Sequence, residues 1–169
     1  MLWNYVLRYY TGAVPKRCLE LQDKYQLDVD LLLFGVWLGA TRHIALTDAA
    51  LLSSDQHISA WRHDVIRPLR EIRRRLKAAE YPTLNAETQS LYREVLAAEI
   101  HGEKIELAAL EAFAKTWPDG AGTANAGIIK ANLEKTILYF GGSPPDVESQ
   151  IHDLLSAAVN LRESETNSA

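Results

Sequence analysis

Leu31 to Ala40 is an unbroken run of ten apolar residues and glycines, Leu-Leu-Leu-Phe-Gly-Val-Trp-Leu-Gly-Ala, and no other stretch limits the fold as strongly. As a helix it is about 15 Å long, half the hydrocarbon thickness of a bilayer, so it reads as a core helix and no membrane span is expected. Gly35 and Gly39, four apart, let another backbone pack closely on that helix. A chain of 169 residues has the length of one domain and can bury a core without a metal or a disulfide. Its only cysteine, Cys18, allows neither a disulfide framework nor a cysteine-based metal knuckle. The opening Met-Leu-Trp-Asn-Tyr lacks the features of a signal peptide, and the expected location is the cytoplasm.

Apolar spacing is helical nearly everywhere, with no convincing period-two strand. Trp3, Val6, Leu7 and Tyr10 share one face of a first helix that stops near Gly12, and Pro15 suits the first turn of a second. Asp28 is placed to cap the apolar helix, with Asp30 in its first turn. Thr47 caps a short piece to Leu52, and Ser53-Ser54-Asp55 reads as the next start. Ile58, Trp61, Val65, Leu69, Ile72 and Leu76 then form a core stripe in a long helix that Pro68 should kink. The connection Tyr81-Pro82-Thr83-Leu84-Asn85 turns the chain into a second long helix, from about Ala86 to Lys115 through Leu91, Val95, Ala98, Gly102 and Ile105. A helix over roughly Thr123 to Phe140 follows, and Ser143-Pro144-Pro145-Asp146 restarts the last one. The fold class is therefore all-α: one compact bundle of about six to eight helices over residues 1–162, with a central antiparallel helical hairpin. Residues 163–169 read as a frayed polar tail.

Trp3…Tyr9-Tyr10…Val14…Cys18-Leu19-Glu20-Leu21-Gln22-Asp23…Asp28-Val29-Asp30-Leu31-Leu32-Leu33-Phe34…Trp37 resembles the opening of an uncharacterised bacterial, proteobacterial family of unknown function. Trp61-Arg62…Val65…Pro68-Leu69-Arg70…Arg73-Arg74…Leu76-Lys77 is similar to a second block of it, and beyond Lys77 the match fades. Asp30 departs from the Asn more usual there. The resemblance implies a small helical protein and brings no activity, cofactor or catalytic residue with it.

Two constellations carry charge. Glu99, Glu103 and Glu106 continue a row through Tyr92, Leu96, Leu110, Phe113 and Trp117, inside the apolar arc of their helix. A buried carboxylate needs a partner or takes up a proton. One reading is a ligand or acid–base site; the other is an ion pair across the hairpin, which places Arg62 against Glu99, Glu103 or Glu106. No Glu-x-x-His pair and no paired histidine spacing is present, so no metal site is expected.

The second constellation is basic. Arg62 to Lys77 holds seven Lys or Arg against two acids, a charge of +5 in a chain of −4, which leaves −9 elsewhere. His63, Arg67, Arg70, Arg74 and Lys77 fall on the face opposite the core stripe, a seam about 20 Å long. The seam suits an acidic protein partner. Nucleic acid fits less well, because the seam has no interleaved aromatic and no known motif. The stretch Gly120-Ala121-Gly122-Thr123-Ala124-Asn125-Ala126-Gly127 lacks the Lys-Ser/Thr of a phosphate loop, and Cys18 has no local base. No catalytic residue and no cofactor is assigned. The leading expectation is a non-catalytic protein that binds a partner through the basic face. The alternative is a small-molecule or lipid-like ligand protein, or an enzyme, with a carboxylate-lined pocket.

Overall fold

The computed structural model describes residues 1–78, 85–121 and 126–166. In chain order they form α1 (Leu2–Tyr9), α2 (Val14–Tyr25), α3 (Val29–Thr41), α4 (Asp48–Trp61), a π-helical turn (Arg62–Ile66), α5 (Arg67–Lys77), α6 (Asn85–Ala114), α7 (Ala126–Tyr139), a 3-10 turn (Pro144–Val147) and α8 (Glu148–Thr166). No strand occurs among the described residues. Most of the connection expected over Tyr81–Asn85 (residues 81–84), part of the glycine-rich stretch (residues 122–125) and residues 167–169 of the expected tail lie outside them. α8 itself continues to Thr166, past the Glu163 at which that tail was placed.

The apolar run folds as α3, and it is buried from Asp30 through Ala40. A helix apolar on all sides must be surrounded, and α3 is: α1, α2, α6, α7 and α8 all pack on it. Its N-terminus is set by Asp28, whose carboxylate accepts from Leu31 N–H at 2.8 Å. On one side α7 approaches closely because Gly35 and Gly39 carry no side chain. A Cβ on Gly39 would stand 3.1 Å from the Cα of Ile129. Asn132 then closes the seam, donating to Gly35 O and Ile44 O at 2.9 Å each and accepting from Leu46 N–H at 2.8 Å.

Around this axis α1 buries Leu2, Tyr5, Val6 and Tyr9, and the Tyr9 hydroxyl donates to Leu154 O of α8 at 2.8 Å. Pro15 sits in the first turn of α2, and Gln26, left-handed at φ 54°, turns α2 sharply toward α3. Arg42 fastens the far end, reaching Ala114 O at 2.6 Å, Trp117 O at 2.5 Å and Asp119 at 2.6 Å.

Several sequence expectations need correction. Ser53-Ser54-Asp55 starts no helix: both serine hydroxyls bond back to Ala50 O, at 3.0 and 2.8 Å, and α4 runs straight through. Before Pro68 the backbone takes the π-turn, in which Arg67 N–H bonds Arg62 O five residues back, and α5 follows without a break. That turn delays the helical phase by about one residue. Ile72 therefore lies 47% exposed instead of in the core, and Arg70 and Arg73 turn inward. On α6 the exposed Leu91 and Ile105 are off the inner path, while Glu99, Gly102, Glu106 and Leu110 lie on it. The centre of the molecule is α3. α5 buries no residue and lies to one side with α6.

Candidate functional site

The inward face of α6 carries Glu99, 3% exposed, Glu103, half-buried, and Glu106, 1% exposed. Three guanidinium groups meet them from the π-turn and α5. Arg70 donates to Glu99 at 3.0 Å and to Glu103 at 2.9 Å, and Arg73 donates to Glu99. Of the three glutamates Arg62 reaches only Glu106, at 3.6 Å. Its closer partners are Asp55 at 2.7 Å and Asp28, whose second oxygen is 2.6 Å from Nε, although that N–H is not aligned for a hydrogen bond. Asp28 thus caps α3 with one oxygen and holds Arg62 with the other.

The π-turn makes this geometry possible. It passes so close to α6 that a Cβ on Gly102 would lie 2.7 Å from Ile66 Cδ1, and Trp61 Nε1 donates to Gly102 O at 3.1 Å. Neither oxygen of Glu106 has a hydrogen bond. Burial pushes its carboxyl up to about 8, Asp28 adds to the shift and Arg62 opposes it. Burial likewise raises Glu103, against the pull of Arg70.

One turn into α3 stands Asp30. It is 9% exposed and has no hydrogen bond or ion pair among the described residues. Burial holds its carboxyl well above the usual carboxylate range, with Asp28, Glu103 and Glu106 adding and Arg70 opposing. Asp30 lines a cleft of about 390 Å³ whose walls come from α1, α2, α3, α5 and α6. Trp3, Val6, Leu33, Leu96 and Leu107 supply apolar wall, and Leu7, Leu19 and Ile100 line it while remaining exposed. The polar lining is Tyr10, Gln22, Asp30, Glu99, Glu103, Arg70 and Arg73. Burial raises the Tyr10 phenol, and Cys18, Glu103 and Asp30 add to the shift. A volume of this size, mostly apolar with a few gathered polar groups, is the usual form of a small-molecule site. A second cleft, about 410 Å³, lies on the other side of Arg70 and is lined by Arg62, Arg67 and Arg74 with Asp23, Asp28 and Glu71.

The five residues of the expected basic seam do not share one exposed face. His63 is exposed and 2.9 Å from Asp64, Arg67 and Lys77 are exposed, and Arg74 is exposed with Asp23 at 3.6 Å. Arg70 is turned into the carboxylates. The delay in helical phase at the π-turn is the physical reason. Sequence reasoning missed Asp55 and Arg73, and gave Asp28 and Asp30 only a helix-end role. The signal for Asp30 was its place at the head of an all-apolar helix, where a carboxyl in the first turn shares the burial. Among the described residues no cluster of His, Cys, Asp or Glu is arranged to hold a metal ion, and no helix is long and apolar enough to cross a membrane.

A model of the family described as a protein of unknown function, DUF2390, matches residues 1–110. The chain belongs to the DUF2390 family. No curated protein and no solved structure matches the chain. The DUF2390 segment runs past Lys77, where the sequence resemblance fades, into α6. It holds α1 to α5 and most of α6, and therefore every residue that lines the 390 Å³ cleft. α7 and α8 lie outside the DUF2390 segment.

Proposed function

We propose that this DUF2390 protein binds a small amphipathic molecule in the cleft between α1, α3 and α6. The observation that carries the reading is the two-sided lining of that cleft. Large apolar side chains stand exposed at Leu7, Leu19 and Ile100, and polar side chains collect around Tyr10, Asp30 and Glu103. Exposed apolar side chains gathered at a concavity cost free energy unless something covers them. Trp37 and Phe34 are not part of the site: they stack in the core, with ring centroids 6.0 Å apart.

The test uses Nile red, a neutral apolar dye, with the folded protein. Saturable binding should appear in the wild type and weaken about tenfold or more in L19E/I100E, since each lost apolar contact is worth on the order of 1 kcal/mol. Both positions are exposed, so the unfolding midpoint should stay near that of the wild type. Absence of binding, or equal binding by wild type and variant, removes this function.

A second reading rests on Arg67 and Lys77, which are exposed and have no acidic partner among the described residues. With His63 and Arg74 they leave a shorter basic face, suited to an acidic protein partner. R67E/K77E should abolish salt-sensitive capture of such a partner while leaving Nile red binding intact. Capture unchanged by the double reversal excludes that face.

A further inference from the structure

Carboxyl groups outnumber cations at the cleft, where Asp30, Glu99 and Glu103 stand with Arg70 and Arg73, and in the seam behind it. Six carboxyl groups, Asp28, Asp30, Asp55, Glu99, Glu103 and Glu106, gather with three guanidinium groups, Arg62, Arg70 and Arg73. The pairing assigns every cation: Arg62 to Asp28, Asp55 and Glu106, Arg70 to Glu99 and Glu103, and Arg73 to Glu99. Asp30 is left over. It is nine-tenths buried, it lines the cleft, and no described residue bonds to it. Burying a carboxyl without a partner is costly, and here the cost falls in a cleft open to a ligand.

We infer that the cleft takes a primary ammonium ion at Asp30, carried on an apolar chain that lies along Val6, Leu33 and Leu96. This rests on the ligand-cleft reading above and adds the chemical class. An anionic head would meet a surplus of carboxyl groups, and Arg70 and Arg73 are already engaged by Glu99 and Glu103. A neutral head leaves the surplus unaltered. An ammonium supplies a positive charge that holds Asp30 in its ionised form, and its N–H groups find acceptors on Asp30, on the Tyr10 hydroxyl and on Glu103, all of which line the cleft. Tyr10 adds aromatic surface to which a cation is attracted, while the Trp3 ring already has the Lys104 ammonium over it at 5.8 Å from its centroid.

Three probes with one tail, n-octylammonium, n-octanol and n-octanoate, separate the possibilities at neutral pH and below self-association. Binding is read by calorimetry and by displacement of Nile red. The wild type should prefer octylammonium over both others by about tenfold or more, the size of a charge-assisted hydrogen bond in a partly dry site. Asp30→Asn keeps the shape and removes the acid that an ammonium would ionise, and should bring that preference below about threefold while Nile red still binds. A measurement on the wild type alone stands beside it, should the variant not fold: octyltrimethylammonium, which has no N–H to donate, should bind more weakly than octylammonium. Equal affinity for the three octyl probes, or a preference unaffected by Asp30→Asn, overturns the ammonium site and leaves the cleft standing. Failure of every octyl probe and of Nile red overturns both.

Discussion

Where α3 meets α7, contact is made by side chains that are absent; where the π-turn and α5 meet α6, it is made by long charged ones. Gly39 lets the Ile129 backbone come close, and the polar side chains in that seam are satisfied: Asn132 has three hydrogen bonds at 2.8 to 2.9 Å, and the Thr136 hydroxyl donates to Asn132 O at 2.9 Å. Nothing there is left for a ligand to satisfy. Across the molecule Arg62, Arg70 and Arg73 are shared among more carboxyls than they can neutralise. A buried amide closes one seam, and a surplus of acid opens the other. The proposed ligand site rests on this difference, since binding energy is available where the fold leaves polar groups short of partners.

The charged seam is where a single substitution should cost most. Arg62→Met leaves Asp28 and Asp55 without their cation and should lower stability by about 3–5 kcal/mol in urea unfolding. Adding Asp28→Asn should restore more than half of the loss, because Asn caps a helix as well as Asp and carries no charge. No recovery in the double variant would show that Arg62 acts by packing its stem. On the other seam Asn132→Ala takes the side-chain partner from Ile44 O and Leu46 N–H and the second donor from Gly35 O, and should cost about 3 kcal/mol, with no change in ligand preference. If it changes octylammonium affinity at constant stability, the two seams are not independent.

Features of short range were legible in the sequence. The run Leu31–Ala40, the caps at Asp28 and Thr47 and the proline start of α2 all depend on neighbours within a turn or two. Features set by distant partners were not. Asp28 was readable as a cap, but its second oxygen is occupied by Arg62, 34 positions along the chain. The row through Glu99 and Glu106 could be read from its spacing, because α6 is a regular helix through that face. The fate of Arg70 could not, since a wheel of constant pitch drawn through Arg62–Ile66 ends on the wrong side.

The raised carboxyls give the comparison a pH dependence. Glu106 is held up to about 8, against an ordinary glutamate near 4.3, so the folded chain holds a proton that the unfolded chain has released. Stability from this group is full below about pH 4.3 and is lost as pH rises toward 8. Asp30 and Glu103 are shifted the same way and add to the loss. The urea midpoint should therefore fall between pH 5.5 and pH 8.5, by on the order of 2 kcal/mol in unfolding free energy. Glu106→Gln should flatten the slope in part. A midpoint that climbs over this window would mean the carboxyls stay ionised in the folded chain.

The smallest effect tests the phase of α5 directly. A straight wheel from Ile58 puts Ile72 in the core stripe, where Ile72→Gln would cost about 2 kcal/mol or more by burying an amide in place of a hydrocarbon. With the π-turn in place Ile72 is 47% exposed, and the substitution should change stability by less than about 0.5 kcal/mol. Its neighbour is the sensitive one: Arg73→Gln removes a donor from Glu99 and should cost about 1–2 kcal/mol. Sensitivity passed from Ile72 to Arg73 is the signature of a single inserted position. The same shift takes Arg70 from the basic face and places it between Glu99 and Glu103, so these two unfolding curves also test how the cleft floor is built.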